Sequence, residues 1–525
     1  MQELDWWKSA IIYEIYPRSF QDSNGDGIGD LKGILQRLDY LVQLGVDAIW
    51  ISPIYRSPMA DFGYDVADYC SVDPIFGTMQ DFDHLLQEAH HRSLKVILDF
   101  VPNHTSDQHP WFLESRSSRD SPKRDWYLWC DEPNNWMNNF GGSGWQWDES
   151  TAQYYYHSFL KEQPDLNWRN PAVRTAVYQS LRFWLEKGVD GFRVDVMWLM
   201  IKDDQYRDNP PNPDYVEGQS TGNSLLTVYN SNQPEVHAVV AEMRALIDQY
   251  PNRVLIGEIY LPVKDLMTYY GQNLKGANLP FNFLLLQSPW KAEAVAQVIS
   301  EYITALPLGA WPNWVLGNHD NARIATRVGV QQAPVAAMLL LTLPGTLTMY
   351  YGEEIGMTNV PIPAQEVRDP AEMNQPGIGM GRDPERTPMP WSGTPLAGFT
   401  QGKPWLPLGA DHELINVATL QKDEASILNL YVRLIALRRM HPILVGGEIR
   451  SIAAKDNLLS YERVNEGERI LVLLNLGVKP VRTPTTAGTI LESTYLHRTG
   501  EKLHNSVELR SSEGIIIKPT RRGAL

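Results

Sequence analysis

Short runs rich in β-branched and aromatic residues alternate along most of the chain with longer runs whose apolar residues recur every three or four positions. The first kind reads as strands and the second as amphipathic helices. Strand candidates are IIYEIYP (11–17), VDAIWISPI (46–54), KVILDFVPN (95–103) and VDGFRVDVM (189–197). They continue with RVLIGEIY (253–260), LPFNFLLL (279–286), PNWVLGNHD (312–320) and TLTMYYGEE (346–354). Helical patterns such as ILQRLDYLVQLG, FDHLLQEAHHRSL, VYQSLRFWLEKG, VHAVVAEMRALIDQY and VAQVISEYITAL lie between them, and SILNLYVRLIALRRMHP (426–442) follows the eighth strand. Eight strands, each followed by a helix, predict an α/β fold of the (β/α)8 TIM-barrel type. Two stretches break the rhythm: a Trp-, Asn-, Gly- and Asp-rich one after the third strand and a Pro/Gly-rich one over 358–392. The first is too long for a plain loop and predicts a subdomain or a functional lid. After His441 the runs shorten (LLSYERV, RILVLLNL, GTILEST, GIIIKP) and predict a small antiparallel β domain. The expected organisation is a barrel from residues 1–103 and 169–442, an inserted subdomain over 104–168, and a C-terminal antiparallel β domain over 443–525.

Composition narrows the class. The 525 residues give a large core, and 43% apolar with 21% charged content is ordinary for a globular protein. A net charge of −16 argues against nucleic acid and anionic membranes, which need a basic footprint, and leaves a small neutral ligand. Only Cys70 and Cys130 occur, so neither a disulfide framework nor a Cys-rich zinc site is expected. No run approaches the length of a membrane span, and the first residues, MQELDWWKSA, do not form a signal peptide. The expectation is a soluble, cytoplasmic protein. Seventeen Trp and 24 Tyr could build sugar-stacking walls, although core packing accounts for them more simply.

Candidate chemistry gathers where a barrel of this kind places its active site, at the C-terminal ends of the strands. The third strand ends in Asp99, Asn103 and His104, and the fourth in Arg193 and Asp195. Glu258 ends the fifth, and Asn318, His319 and Asp320 end the seventh. One Asp at a strand end is commonly a cap or an ion-pair partner. Several at one mouth, with Arg193 and Asp195 on the same strand face, point to catalysis. Metal binding by this set is disfavoured: no HxH or HExxH spacing occurs and no Cys contributes. Glycoside cleavage needs one carboxylate as nucleophile and one protonated carboxyl as acid, and a third carboxylate can fix sugar hydroxyls.

A separate constellation lies near the start, in QDSNGDGIGD (21–30). Asp22, Asn24, Asp26 and Asp30 fall at positions 1, 3, 5 and 9 of a calcium-loop spacing, with Gly27 at position 6 and the Ile28 carbonyl at position 7. Position 12 is Gly33 rather than a bidentate Glu. The spacing fits a hard cation, and it equally fits a solvated Asp/Asn/Gly turn.

The blocks DFVPNHTS (99–106), QPDLNW (163–168), GFRVDVMWL (191–199), GEIY (257–260) and GNHDNAR (317–323) resemble, in order, those of the α-amylase family of glycoside hydrolases. The resemblance covers nearly the whole chain and is closest to the α-glucosidase and oligo-1,6-glucosidase branch. It implies Asp195 as nucleophile, Glu258 as general acid/base, and Asp320 as the carboxylate that holds sugar hydroxyls. It implies Arg193 as the partner that keeps Asp195 ionised, and His104 and His319 as donors to the sugar in the cleaved subsite. The family retains anomeric configuration, which implies an Asp195–Glu258 separation of about 5–5.5 Å. DFGYDVADY (61–69) resembles a segment whose Asp and Tyr, here Asp61 and Tyr64, shape the innermost site, with Tyr64 stacking on the sugar ring. GRDPERTPMPW (381–391) resembles one whose Arg pairs with that Asp to close the pocket; Arg386 is favoured over Arg382 for this role. A closed pocket implies exo action on short α-glucosides. The resemblance also implies a structural Ca2+ or Mg2+ in the 22–30 loop. Val196 beside the nucleophile implies activity on α-1,6 links, whereas GEIYLP and the Pro-rich RDNPPNPDY (207–215) look more like broad α-glucosidases. An isomerase or transglucosylase would use the same carboxylates.

Overall fold

The computed structural model describes residues 5–520; residues 1–4 and 521–525, the outer ends of the expected barrel and C-terminal segments, lie outside it. All eight expected barrel strands form: β1 Ile11–Ile15, β2 Ala48–Ile51, β3 Lys95–Phe100, β4 Gly191–Val194, β5 Val254–Gly257, β6 Leu279–Pro280, β7 Asn313–Val315 and β8 Thr346–Tyr350. They are parallel, in the order β6-β5-β4-β3-β2-β1-β8-β7. The ladder stops between β6 and β7, and side chains bridge that seam. Asn313 Oδ1 accepts from Asn282 N at 3.0 Å, and Asn313 Nδ2 donates to the Pro280 carbonyl at 2.7 Å.

Period-two alternation sorts the strand residues into two shells. Ile12, Ala48, Trp50, Ile97, Val254, Ile256, Leu279 and Val315 fill the lumen. Their neighbours Ile11, Ile49, Val96, Leu98, Leu255 and Leu347 pack outward against the helices. The latter are α1 Leu38–Leu44, α2 Met79–His91, α3 Pro171–Lys187, α4 Val236–Ile247, α5 Ala292–Ala305, α6 Ala333–Thr342 and α7 Ile427–Met440. Their starts obey local rules. Thr78 and Asp81 form a capping box on α2, Asn170 caps α3 ahead of Pro171, and Ser426 caps α7.

Three expectations are corrected. The helix expected over 34–45 is two pieces, Leu31–Gln36 and α1, broken at Arg37. Tertiary contacts hold that break: the Arg37 guanidinium lies 4.1 Å from the Trp391 ring and Nε donates to Gln21 Oε1 at 2.7 Å. The sixth strand is two residues long, and a helical turn, Leu284–Gln287, begins within its expected span. Asn282 turns the chain there, its Oδ1 accepting from Leu284 N. After β5 only short turns form, Val263–Leu266 and Met267–Tyr270, instead of a long helix. The turn ends at Gly271, whose φ of 72° suits glycine.

The segment between β3 and α3 carries a three-stranded antiparallel sheet (Trp129–Cys130, Trp145–Asp148, Gln153–Tyr156). It hangs over the C-terminal ends of the barrel strands. Beyond α7 lies an antiparallel sheet of six strands between Glu448 and Pro519. Among the described residues no helix is long and apolar enough to cross a membrane.

Two buried carboxyls sit near the end of β8 and beyond it. Burial raises both Glu353 and Glu385 to about 8, with Arg327 and Arg386 respectively opposing the rise. The folded chain therefore keeps protons that the unfolded chain releases near pH 4.5. Such stability is fully present below the unfolded value and is lost as pH rises towards and through about 8. The melting temperature should fall by at least about 3 °C between pH 6 and pH 9, and Glu353→Gln should flatten that slope. Equal slopes for both proteins would show that Glu353 is ionised when folded.

Candidate active site

Where β3, β4, β5 and β7 end, charge replaces the apolar lumen. Arg193 is fully buried, and its guanidinium lies 5.0 Å from the Trp50 ring, which floors the site. Its Nη1 donates to Asp99 Oδ1 at 2.8 Å and to Asp195 Oδ1 at 2.9 Å. Nη2 lies 2.7 Å from Glu258 Oε2, an ion-pair contact rather than an aligned hydrogen bond. One guanidinium thus spans both carboxyls that the sequence puts forward as nucleophile and acid. Backbone ladders place them: Asp195 N donates to the Phe100 carbonyl at 2.8 Å and Glu258 N to the Val194 carbonyl at 2.9 Å.

Between the two carboxyls the chain takes an unusual turn. Val196 has φ 36° and ψ 47°, in the left-handed region that a β-branched residue rarely enters. That turn brings Val196 N to Glu258 Oε2, donating at 2.8 Å. Strain at such a position is retained where the surrounding structure fixes it, commonly at functional sites.

Asp195, Glu258 and Asp320 line one cavity of about 360 Å3 with Asp61, Tyr64, His104 and Val196. Aromatic walls come from Phe140 and Phe159 of the insert and from Trp198 and Tyr260. Arg193 and His319 stand behind this lining. Tyr64 has one face packed on His319, with centroids 5.3 Å apart and planes at 13°, and its hydroxyl donates to Asp99 Oδ2 at 2.9 Å. His104 is buried beside Asn103, whose amide lies 3.1 Å from Nδ1. Burial keeps His104 below its ordinary pKa and hence neutral.

The closing pair differs from expectation. Arg382, not Arg386, reaches Asp61: Nη2 donates to Asp61 Oδ1 at 2.8 Å. The same guanidinium meets Asp369 at 2.7 Å and Asp320 at 3.2 Å. Arg386 is spent one layer deeper, with Nε donating to the His319 carbonyl and Nη2 to Asp320 Oδ1, both at 2.8 Å. The two arginines are four residues apart in a loop more than 300 residues from Asp61, and its short turn Asp383–Glu385 sends them to different depths. Motif similarity does not encode that choice. Gln163 and Asp369 were not singled out as site residues. Gln163 Nε2 donates to Asp61 Oδ2 at 3.2 Å; its place at the head of QPDLNW was the available signal. Asp369 offered none.

Electrostatics separates the three carboxyls. Burial raises Asp195, as does Glu258, while Arg193 opposes. Burial also raises Glu258, with Arg193 opposing and Asp320 adding to the rise. The pair titrates as a unit. Each of the two accepts one aligned hydrogen bond, Asp195 from Arg193 Nη1 and Glu258 from Val196 N. For Asp320, burial pushes upward, but His319, Arg382 and Arg386 outweigh it and hold the carboxyl below the ordinary range. The site therefore offers two buried carboxyls raised above the ordinary range around one guanidinium, and one ionised acceptor at the rim.

The 22–30 loop lies apart from this cavity. Asp22 Oδ1 accepts from Asn24 N and Gly25 N, and Oδ2 from Gly27 N and Thr400 Oγ1. Burial raises Asp22, but Thr400 and these amides hold it below the ordinary carboxylate value. Asn24 Oδ1 takes Asp26 N, Asp26 Oδ1 takes Ile28 N, and Asp30 takes Ser23 and Gly33 N. Gly27 has φ 91°, and an added Cβ would lie 1.9 Å from the Lys403 carbonyl oxygen. In kind the donors fit a hard cation, and no Lys or Arg appears among those hydrogen bonds to balance the three carboxylates. Among the described residues, however, no three acidic, His or Cys side chains are gathered around one point.

Comparison with known proteins gives the family. Residues 14–447 match the family described as "Alpha amylase, catalytic domain". A probable alpha-glucosidase of Rhizobium meliloti is 43% identical, the match covering 90% of this chain and 89% of that protein. An oligo-1,6-glucosidase of Parageobacillus thermoglucosidasius is 39% identical over 97% of this chain and 96% of its own length. The crystal structure of an alpha-glucosyl transfer enzyme superposes with a TM-score of 0.93 at 40% identity, covering 99% of this chain and all of that one. A barrel whose strand ends carry Asp195, Glu258 and Asp320, and whose sequence matches that family over most of its length, is a glycoside hydrolase: the chain belongs to the α-amylase family.

Proposed function

We propose that this protein is an exo-acting α-glucosidase that releases α-glucose from the non-reducing end of short α-glucosides with retention of configuration. The observation that carries the reading is the single Arg193 guanidinium between Asp195 and Glu258, facing Asp320 across a cavity backed by Asp61 and Arg382. Asp195 attacks the anomeric carbon while Glu258 passes its proton to the departing glycosidic oxygen. A β-glucosyl ester forms on Asp195. Glu258, now a carboxylate, takes a proton from water, whose oxygen attacks the same carbon and frees Asp195. Asp320 accepts hydroxyl hydrogen bonds, for which its ionised state suits it. Arg382 and Asp61 block the rear, so one sugar enters and the chain end stops there.

Product analysis tests this. Purified protein is offered maltose, isomaltose, sucrose, trehalose and soluble starch, and the first-formed anomer is read by proton NMR. α-Glucose from the disaccharides with starch nearly untouched supports the reading, and the maltose/isomaltose ratio separates it from an oligo-1,6-glucosidase. β-Glucose as first product would reject retention. The similarity to an alpha-glucosyl transfer enzyme favours one alternative, in which a second sugar replaces water as acceptor. Rearranged or lengthened sugars with little free glucose would select it.

The 22–30 loop is proposed as a structural site for Ca2+ or Mg2+, held by Asp22, Asn24, Asp26, Asp30 and the Ile28 carbonyl. The donor chemistry and the lack of an Arg or Lys among the loop's hydrogen bonds support it. Adding EDTA should lower the melting temperature by at least about 2 °C, and added calcium should restore it. An unchanged melting temperature would leave the loop as a turn closed by its own amides.

A further inference from the structure

Glu14 takes no part in the steps above, yet it is fully buried on the lumen side of β1, in register with Trp50 of β2 and Tyr350 of β8. Its Oε1 lies 2.5 Å from Nδ1 of His319. On the far side of that ring, Nε2 lies 2.6 Å from the Tyr64 hydroxyl and 3.4 Å from Asp320 Oδ2. The Tyr64 and Tyr16 rings lie nearly parallel to the imidazole, at 5.3 and 5.7 Å between centroids.

Counting hydrogens along this chain fixes its protonation. Asp99 receives Arg193 Nη1 on both oxygens, at 2.8 and 3.1 Å, which marks it as an acceptor. The Tyr64 hydroxyl has one hydrogen and lies 2.9 Å from Asp99 Oδ2, so it spends that hydrogen there. The 2.6 Å contact with His319 then requires a hydrogen on Nε2. The 2.5 Å contact between Nδ1 and Glu14 requires another. An ionised Glu14 with a neutral imidazole holds one hydrogen for two bonds, which is one too few. We propose that Glu14 and His319 form a dyad sharing one proton, and that Glu14 is a positioning residue that keeps His319 an Nε2–H donor facing Tyr64 and Asp320 in the sugar pocket.

The proposal deepens the α-glucosidase reading and rests on it for the role of that donor. Burial lifts Glu14 well above the ordinary carboxylate range, with Arg193 opposing and Asp320 and Asp99 adding to the rise; burial depresses His319, which Asp320 opposes and Arg386, Arg193 and Arg382 reinforce. Both directions agree with a pair that carries no net charge. A Gln at position 14 could donate its amide hydrogen to Nδ1 and preserve Nε2–H. A Leu could not.

Two measurements decide the matter. Neutron diffraction of deuterium-exchanged protein near neutral pD should show deuterium on His319 Nε2, one deuterium between Glu14 Oε1 and His319 Nδ1, and the Tyr64 deuterium directed at Asp99. A bare Nε2, or a Tyr64 deuterium directed at His319, would overturn the dyad. On p-nitrophenyl α-glucoside, Glu14→Gln should keep kcat/KM within about fivefold, and Glu14→Leu should lose at least about 50-fold, mostly in kcat. A Leu variant within threefold of wild type, or a folded Gln variant as impaired as Leu, would overturn the positioning role. Should Glu14→Leu fail to fold, the Gln variant and the neutron density still decide. Wild-type protein inert on every glucoside would reject the α-glucosidase reading alone, because the deuterium positions do not depend on turnover.

Discussion

Asp195→Asn is expected to lower kcat on p-nitrophenyl α-glucoside by at least about four orders of magnitude while leaving the protein folded. The loss is large because an amide forms no glycosyl ester, and no neighbouring group can replace it: Asp99 is held by Arg193 and Tyr64, and Asp320 by Arg382 and Arg386. Folding should survive because Asn matches Asp in shape and the change removes one of three carboxyls crowded around Arg193. The melting temperature should therefore stay within about 3 °C of wild type or rise slightly. A smaller variant, Asp195→Gly, leaves room for azide to attack the face Asp195 used, and β-glucosyl azide should accumulate. Activity within tenfold of wild type for Asp195→Asn would remove Asp195 from the mechanism. Loss of activity without azide product would reduce it to a structural carboxylate.

Replacing Arg382 should be the next most damaging change. Its guanidinium meets three carboxylates, Asp61 at 2.8 Å, Asp369 at 2.7 Å and Asp320 at 3.2 Å, with its side chain only 12% exposed. Arg382→Ala would take from the buried carboxylates of Asp61 and Asp369 the guanidinium that directly contacts both. Breaking a buried pair from one side costs about 3–5 kcal/mol, which corresponds to a loss of about 10^2 to 4 × 10^3 in kcat/KM if expressed in binding and orientation. Arg382→Lys should recover little, since a point charge cannot bridge three acceptors arranged around a planar fork. Arg386→Lys acts differently, through Asp320 and the His319 carbonyl, and should weaken kcat more than KM. Kinetic constants for the three variants check this. An Arg382→Ala enzyme within threefold of wild type would show that the rear wall does not position the sugar.

Several parts of this site were open to reading from residues alone, and the reasons others were not are local. Asp195, Glu258 and Asp320 each follow a strand whose apolar alternation is visible, and a barrel of parallel strands brings such ends to one rim. Position in the strand pattern therefore carried position in space. The pairing of Asp61 had no such carrier. Arg382 and Arg386 sit in an irregular loop, and only the fold of that loop and its packing against Phe140 and Tyr16 decides which one reaches the rim. Glu14 was hidden for the opposite reason. It lies inside a run, IIYEI, whose pattern reads as plain strand, and nothing in that run reveals that its lumen side meets His319 some 300 residues later.

The sequence by itself determined the eight barrel strands, the antiparallel C-terminal sheet and the three strand-end carboxyls that line the cavity, because periods of two and of three to four follow from backbone geometry and burial. Only the tertiary structure decided the break at Arg37, the left-handed Val196 that aims its N–H at Glu258, the division of labour between Arg382 and Arg386, and the Glu14–His319 contact. Each of those depends on a partner far away in the chain, and a long-range contact is fixed by the packing of the whole rather than by the residues around it.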